Sequence, residues 1–389
     1  MTFGFPLRTF FLLLLCHVFV DFFLGIWPLY KTMAQIDIAE AGFIAGLAGF
    51  IGEIMQLGFG YFCDRGHRKR ILIFGVIMAS SITWITFISH SFLIFGLMLA
   101  LMIGSGSFHP AAVGTIGGLS PNFKGRLILW FTAFGGIGMA VSQVIFSKLV
   151  DSSGHAAWLL LPLALLFFVL LTHKMPEINT GAKLNIKDIA TQLSAHRKPL
   201  SLLYFSQVTS YAVNLTLFFM LPDILKMKEG HTWLLYGGGH MCVVFGSIIS
   251  MILVGFLCHK WGFRRIIVSS LFSSFILIAI FLFAPATSLA LTSILLILLG
   301  GFLCVVNPMI VAWGNHLAPH SPSTISALLM GFAWCFSNLG PILAGIMARS
   351  FKTVPFINSM AMISLLLLTS MFLVSFIPAK AAAKEPISN

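Results

Sequence analysis

The chain has 389 residues, of which 58% are hydrophobic and only 9% charged, with 39 phenylalanines and a formal net charge of +12. Soluble globular proteins carry about 25% charged residues, so this chain cannot cover a water-facing surface and the bilayer must be its solvent. The positive charge does not point to nucleic acid, because the basic residues are scattered over short loops and no soluble domain exists to present them.

A bilayer-crossing helix needs about 20 apolar residues. On that criterion spans are predicted at 9–29, 41–62, 71–89, 92–118, 126–147, 156–173, 200–222, 232–258, 264–284, 288–313, 325–348 and 355–378. The fold class is therefore an all-α membrane protein of twelve transmembrane helices in two pseudo-symmetric six-helix halves. The expected division is 1–173 for the first half, 174–199 for a polar cytoplasmic linker and 200–389 for the second half. The first apolar run contains Asp21 and continues to Trp27 without a cleavage site, so it reads as a span and not as a removable signal. The six cysteines lie within or at the ends of apolar segments and are expected as free thiols.

Lys and Arg set the orientation. With both termini in the cytoplasm, the inner loops take Arg65, Arg68, Lys69, Arg70, Lys124, Arg126, Lys260, Arg264, Arg265 and the basic residues of the linker. The outer loops keep only Lys31, Lys148, Lys226, Lys228, Arg349 and Lys352. No Lys or Arg is left for the middle of a span.

The first span carries His17 and Asp21, four residues apart and so on one helix face. A charged Asp at mid-membrane costs about 2.5–3.5 kcal/mol even on the lenient insertion scale. The functional reading is a carboxyl that takes up and releases a proton; the alternative is a structural Asp, hydrogen-bonded or permanently protonated. Glu53 in the second span, followed by Gln56 and Gly60, makes a polar stripe that reads as a second proton site or as an interhelical hydrogen bond. Gly42, Gly46, Gly49 and Gly52 in that span, and Gly135, Gly136 and Gly138 in the fifth, suit close helix contacts. His109, just before Pro110 in the fourth span, sits where proline removes a backbone donor and frees a carbonyl, and it is the third candidate for proton coupling. In the second half Tyr211, Asn214, Asn307, Trp334 and Asn338, with His17 and Gln56 in the first, are candidates to line a substrate cavity, though each also reads as helix packing.

Two charged hairpins punctuate the chain. The first runs Gly60-Tyr61-Phe62-Cys63-Asp64-Arg65-Gly66-His67-Arg68-Lys69-Arg70. The second runs Gly255-Phe256-Leu257-Cys258-His259-Lys260-Trp261-Gly262-Phe263-Arg264-Arg265. Pro28 is echoed by Pro222, and His109-Pro110 by Asn307-Pro308, so the repeat covers whole halves. No Gly-x-x-x-x-Gly-Lys-Ser/Thr loop, nucleophile elbow or His/Cys cluster at metal-ligand spacing occurs. The expectation is a non-enzyme without metal or cofactor, powered by an ion or substrate gradient.

The hairpins resemble the Gly-x-Leu-x-Asp-Arg-x-Gly-Arg-Lys loop of the major facilitator superfamily. Gly60, Phe62, Asp64, Arg65, Arg68 and Lys69 fall in register with it, with His67 at the second Gly; in the other copy Gly255, Leu257, Lys260, Gly262 and Arg264 do so, with His259 at the Asp. The resemblance implies a gate motif at Gly60, Asp64, Arg65, Arg68, Gly255, Lys260, Gly262 and Arg264. Within the superfamily the first half resembles the fosmidomycin-resistance branch, through His17-x-x-x-Asp21 with Pro28, Gly104-Ser105-Gly106-Ser107-Phe108-His109-Pro110, Gly125-Arg126 and Phe134-Gly135-Gly136-Ile137-Gly138. That resemblance implies a monomeric, proton-linked exporter of a drug or metabolite in a bacterial inner membrane. The acidic pair suits a proton, or a cationic or neutral amphipathic substrate, better than an anion. Import of a small metabolite or siderophore on the same fold, and a non-transporting membrane sensor, stay open.

Overall fold

Apolar segments in lipid have no water to bond to, so each closes its own backbone hydrogen bonds as a helix. A computed structural model describes residues 6–119, 124–176, 194, 196–285, 288–318 and 325–377. Among these, eleven helices are long and apolar enough to cross a membrane, and Ala157–Thr172 is a shorter apolar helix. No strand occurs among the described residues. The architecture is the expected twelve-helix bundle. Most of the 174–199 segment lies outside the described residues. The chain forms two compact units, one of Met1–Ile36, Ile44–Ala182 and Tyr236–Met241, the other of Asp37–Phe43, Lys183–Leu235 and Cys242–Asn389.

In the first unit the opening span is broken. Helix α1 covers Leu7–Leu24 and α2 covers Trp27–Met33, with Pro28 in its first turn. The sequence reading put Pro28 near the end of one continuous span; instead it starts the second piece. Proline suits a first helical turn, where no intrahelical donor is needed. Gln143 is buried and donates from Nε2 to the Gly25 carbonyl at 3.0 Å, satisfying the backbone at the break. Helices α3 (Ile38–Phe62), α4 (Arg68–Ala79), α5 (Ser91–Leu119), α6 (Lys124–Ser153) and α7 (Leu160–Thr172) follow. The third span ends in a tighter 3₁₀ stretch, Ser80–Phe87.

In the second unit α8 (Arg197–Met227) contains Pro222 and α11 (Leu289–Leu317) contains Pro308; between them in the chain come α9 (Gly239–Trp261), which belongs to this unit from Cys242 onward, and α10 (Phe263–Phe283). The eleventh span is a π-helical stretch, Ala327–Phe332, continued by α12 (Ala333–Ser337) and α13 (Leu339–Ser350). The last span is α14 (Pro355–Ser364) and α15 (Leu366–Ser375). None of the six cysteines is joined in a disulfide.

Large apolar side chains such as Phe92, Leu165, Phe168 and Phe283 point outward, where lipid would meet them. With apolar matter on both sides, burial alone does not hold helices together, so close packing at small residues must. A Cβ on Gly138 would strike the Val18 carbonyl of α1, and one on Gly106 would strike the Gly52 carbonyl of α3. Gly104 of α5 lies so close to α4 that a Cβ would sit 2.7 Å from the Gly75 carbonyl and 2.9 Å from Ala79 Cα. Gly104→Val is therefore expected to cost about 1–3 kcal/mol through overpacking. Its melting midpoint in detergent should fall, while Gly96→Val, whose Cβ meets open space, should melt like the parent.

The hairpins turn on glycine. Cys63–His67 forms a π-type turn with Gly66 at φ 90°, and Gly262 makes the second turn at φ 77°. Both angles lie in the left-handed region that glycine adopts at least cost. The first hairpin thus turns on Gly66, one residue before His67, whereas the second turns on Gly262, in the register of His67. Each hairpin then sends one cation to the end of its unit's last helix. Lys69 donates to the Leu171 and His173 carbonyls at 2.8 and 2.9 Å, just where α7 runs out. Arg264 donates to the Ser375 carbonyl at 2.6 Å, at the end of α15. Lys69 and Arg264 occupy the same register of the two hairpin copies. The last carbonyls of a helix have no intrahelical donor and carry partial negative charge, so a cation there satisfies both. Lys69→Met is expected to lower stability by about 1 kcal/mol, read as a lower melting midpoint, with Lys69→Arg largely restoring it.

Candidate functional site

The first unit gathers His17 and Asp21 of α1 with His109 of α5. His17 Nε2 lies 3.3 Å from Asp21 Oδ2, and His109 Nε2 lies 3.4 Å from Asp21 Oδ1. The two imidazole Nε2 atoms are 3.2 Å apart, with the rings edge to face. The i, i+4 spacing brings the first pair together. His109 joins them across 92 residues by helix packing alone.

Each histidine is held by its other nitrogen. His17 Nδ1 donates to the Phe131 carbonyl of α6 at 2.8 Å, and the ring stacks on Phe131 at 3.8 Å between centroids. His109 Nδ1 donates to the Ser105 carbonyl at 2.9 Å, with Ser105 Oγ at 3.2 Å. A carbonyl can only accept, so both Nδ1 atoms carry hydrogen. In the neutral rings both Nε2 atoms therefore present lone pairs to one another and to a carboxylate. Such a cluster is electron-rich and requires a cation, a proton included, to bring it together. The carbonyl that His109 uses belongs to Ser105, one residue before the Gly106 carbonyl that Pro110 leaves without its helical donor.

Glu53 adds a second carboxylate. It lies within electrostatic reach of His109, and its Oε2 is buried without a hydrogen bond. Gln56 is half-buried one turn on, and a Cβ on Gly60 would lie 4.0 Å from Pro110, so this stripe of α3 runs along α5. Gly135 of α6 closes the other side, where a Cβ would overlap Asp21 Oδ2 and the His17 ring. Of the three side chains His109 keeps 28% accessibility, against 14% for Asp21 and 5% for His17, so the cluster opens on the His109 side.

In the second unit Gln207 and Trp334 Nε1 both donate to Asn307 Oδ1, the latter at 3.3 Å, and Tyr211 stacks on Trp334 at 4.8 Å. Asn214 donates to Cys304 Sγ at 3.1 Å. Three of the predicted cavity residues, Tyr211, Asn307 and Trp334, thus form one polar-aromatic cluster. Asn338 bonds back to the Trp334 carbonyl one turn earlier at 2.9 Å, a bond local to its own helix. Gln207 was missed by the sequence reading. Its signal was available, since Gln207, Tyr211 and Asn214 recur at i, i+4 and i+7 on one face.

At the hairpin Arg65 lies over the Tyr61 ring at 4.2 Å, and Arg68 donates to the Gly114 carbonyl at 3.3 Å. Gly255 and Lys260 are exposed. The Asp64 side chain lies outside the described residues.

The family model of the Major Facilitator Superfamily matches residues 9–341. The chain belongs to that superfamily. Solved structures agree on the fold. A bacterial homologue of the human lysosomal transporter Spinster, in an inward-facing and unoccupied conformation, superposes with a TM-score of 0.69 over 96% of this chain and 95% of its own. The nucleoside transporter NupG superposes with a TM-score of 0.76 over 94% of this chain and 99% of its own. Both are 14% identical in sequence, so the likeness is one of fold. No curated protein matches the chain. As a facilitator-superfamily protein it is a multi-pass membrane protein with a transporter's fold, and the cluster of α1 and α5 is a buried ionisable site within that frame.

Proposed function

We propose that the chain is a proton-coupled secondary transporter that exports a small organic molecule by alternating access. The observation that carries this reading is the convergence of Asp21, His17 and His109, with Glu53 close by, inside a membrane-spanning unit. Ionisable residues within spans are expensive and are functional by default. Here a carboxylate and two fixed lone pairs meet where one proton would hold them together and its loss would drive them apart. Uptake and release of that proton changes the force between α1 and α5, which is what a coupling site needs. Asp21 is the proton-binding group in this reading, with His109 as its open-side partner and Glu53 as the second carboxylate.

Tyr211, Trp334, Asn307 and Asn214 supply the substrate side, through an aromatic platform beside amides. The first unit also buries Lys31, which the sequence places in an outer loop, within the second piece of its opening span; Asp21 and Glu53 outnumber it, and the substrate in this reading is a neutral or cationic amphipathic molecule. The resemblance of the first half to the fosmidomycin-resistance branch supports export, proton antiport and residence as a monomer in a bacterial inner membrane with both termini cytoplasmic. In this reading the Asp64–Arg68 hairpin and its Gly255–Arg264 counterpart form the cytoplasmic gate.

The test uses purified protein in liposomes with a trapped pH dye and a panel of cationic dyes, polar metabolites, siderophores and phosphonates. A compound that moves protons in the parent protein and not in Asp21→Asn names the substrate class. Uptake of a compound without proton movement would replace proton coupling by facilitated diffusion or another ion. The sign of proton flux under an imposed substrate gradient decides export against import.

A further inference from the structure

We propose that His17, Asp21 and His109 form a binding site for a divalent transition-metal cation of the Zn²⁺ and Co²⁺ class, and that the bound metal blocks the transport cycle. The donor set is two imidazole Nε2 atoms and one carboxylate, a combination that binds borderline metals in preference to Mg²⁺ or Ca²⁺, which take oxygen ligands. The spacing fits. Ligands about 2.0–2.1 Å from a tetrahedral metal lie about 3.3–3.4 Å from one another. The two imidazole Nε2 atoms are 3.2 Å apart, and each faces its own oxygen of the Asp21 carboxylate, His17 Oδ2 at 3.3 Å and His109 Oδ1 at 3.4 Å; with one donor atom taken from each residue, all three lie within 4.8 Å of one another. Two imidazoles and a carboxylate that can offer either oxygen enclose a place for one ion, and the cluster opens on the more accessible His109 side.

The surroundings of the donors point the same way. A metal-binding histidine fixes its ring by donating its other N–H to a carbonyl or carboxylate, which aims the lone pair at the ion. Both histidines do this, His17 to Phe131 and His109 to Ser105. The Nδ1 atom of each ring is thus already engaged, which leaves Nε2 as the ligand atom. Charge also balances. Asp21 and the nearby Glu53, whose Oε2 has no hydrogen-bond partner, bring two negative charges to meet a dication in a buried place. Spacing along the sequence does not reveal the site, because the third ligand comes from another helix.

Metal binding stands on this geometry alone; the block rests on the proposed role of the triad as the coupling site. The protein is purified without a polyhistidine tag and titrated with Co²⁺, whose visible d–d bands report low-coordinate nitrogen and oxygen ligation, and Zn²⁺ is then added to displace it. One equivalent is expected to bind the parent protein. His17→Ala, His109→Asn and Asp21→Asn should each weaken binding about tenfold or more. His90→Ala, an exposed histidine outside the cluster, should leave it unchanged. His17 and His109 lie on different helices, so a folding defect in one variant leaves the other to decide. No Co²⁺ signal in the parent, or equal affinity in the three variants, overturns the site. In vesicles, Zn²⁺ at the concentrations that displace Co²⁺ should halt substrate-driven proton movement. Binding without this inhibition overturns the block, whereas proton movement that persists in Asp21→Asn overturns the coupling role and leaves the metal site standing.

Discussion

Asp21→Asn is expected to bring substrate-driven proton movement to the background of empty vesicles. Asn has nearly the volume of Asp and keeps a hydrogen-bonding oxygen, so helix packing around it should survive. What it loses is the ability to take up and release the proton that holds the carboxylate against His17 and His109 at 3.3 and 3.4 Å. Removing a positioned proton-transfer group typically costs about 10²–10⁴-fold in rate, so a loss of at least a hundredfold in proton-coupled flux is the expected size. Exchange of labelled for unlabelled substrate, which needs no net proton transfer, should fall far less. The two assays together separate loss of coupling from loss of binding. Unchanged proton signals in the variant would remove Asp21 from the mechanism.

Gly135→Ala should be nearly as damaging, although it adds a single methyl group with no charge. A Cβ at Gly135 would fall on Asp21 Oδ2 and on the Cε1 and Nε2 atoms of His17, two of the three members of the cluster. The α6 backbone cannot retreat easily, because one turn on Gly138 touches the Val18 carbonyl and further along Ser142 touches Gly25. The strain therefore falls on the side chains. Overpacking of this kind costs about 1–3 kcal/mol, and if the cluster bears it, proton-coupled flux drops by about tenfold to a hundredfold. Gly58→Ala is the matched control, since its Cβ would meet nothing within 4 Å. Flux in Gly135→Ala equal to that control would show that the triad tolerates displacement and that its close spacing is not needed for coupling.

How much of this could be read from the chain depends on the range of the physics involved. The twelve spans were legible because the cost of placing each residue in lipid adds up over a window of about 20 residues. The duplication was legible because two hairpins repeat in register. The His17–Asp21 pair was legible because helical period alone brings i and i+4 together. His109 was singled out for its proline neighbour, but its meeting with Asp21 depends on how α5 lies against α1. The groups that fix the rings, the Phe131 and Ser105 carbonyls, are backbone atoms, and no residue type announces them. Gly135 was read correctly as a place of close approach, yet nothing in the sequence says that what approaches is the Asp21 carboxylate. The break after Leu24 was missed because Gly25, Ile26 and Trp27 are as apolar as a continuous span, and its repair by Gln143 comes from 118 residues away.

The paired anchors Lys69 and Arg264 bear on how such a protein is made. Domains generally fold as units, the N-terminal one first, while the chain is still being synthesised. The contact from Lys69 to the end of α7 needs no residue beyond His173, so the first set of helices can fasten its last member while the second is still emerging from the ribosome. The Arg264 contact to Ser375 repeats the step for the second set of helices. Each fastening joins a loop made early to a helix end made late, so it forms only when all the intervening spans have inserted. A span that fails to insert would leave its cation and its helix end on opposite faces of the membrane, unable to meet. The two basic residues thus tie an early loop to a late helix end, once in each set of spans.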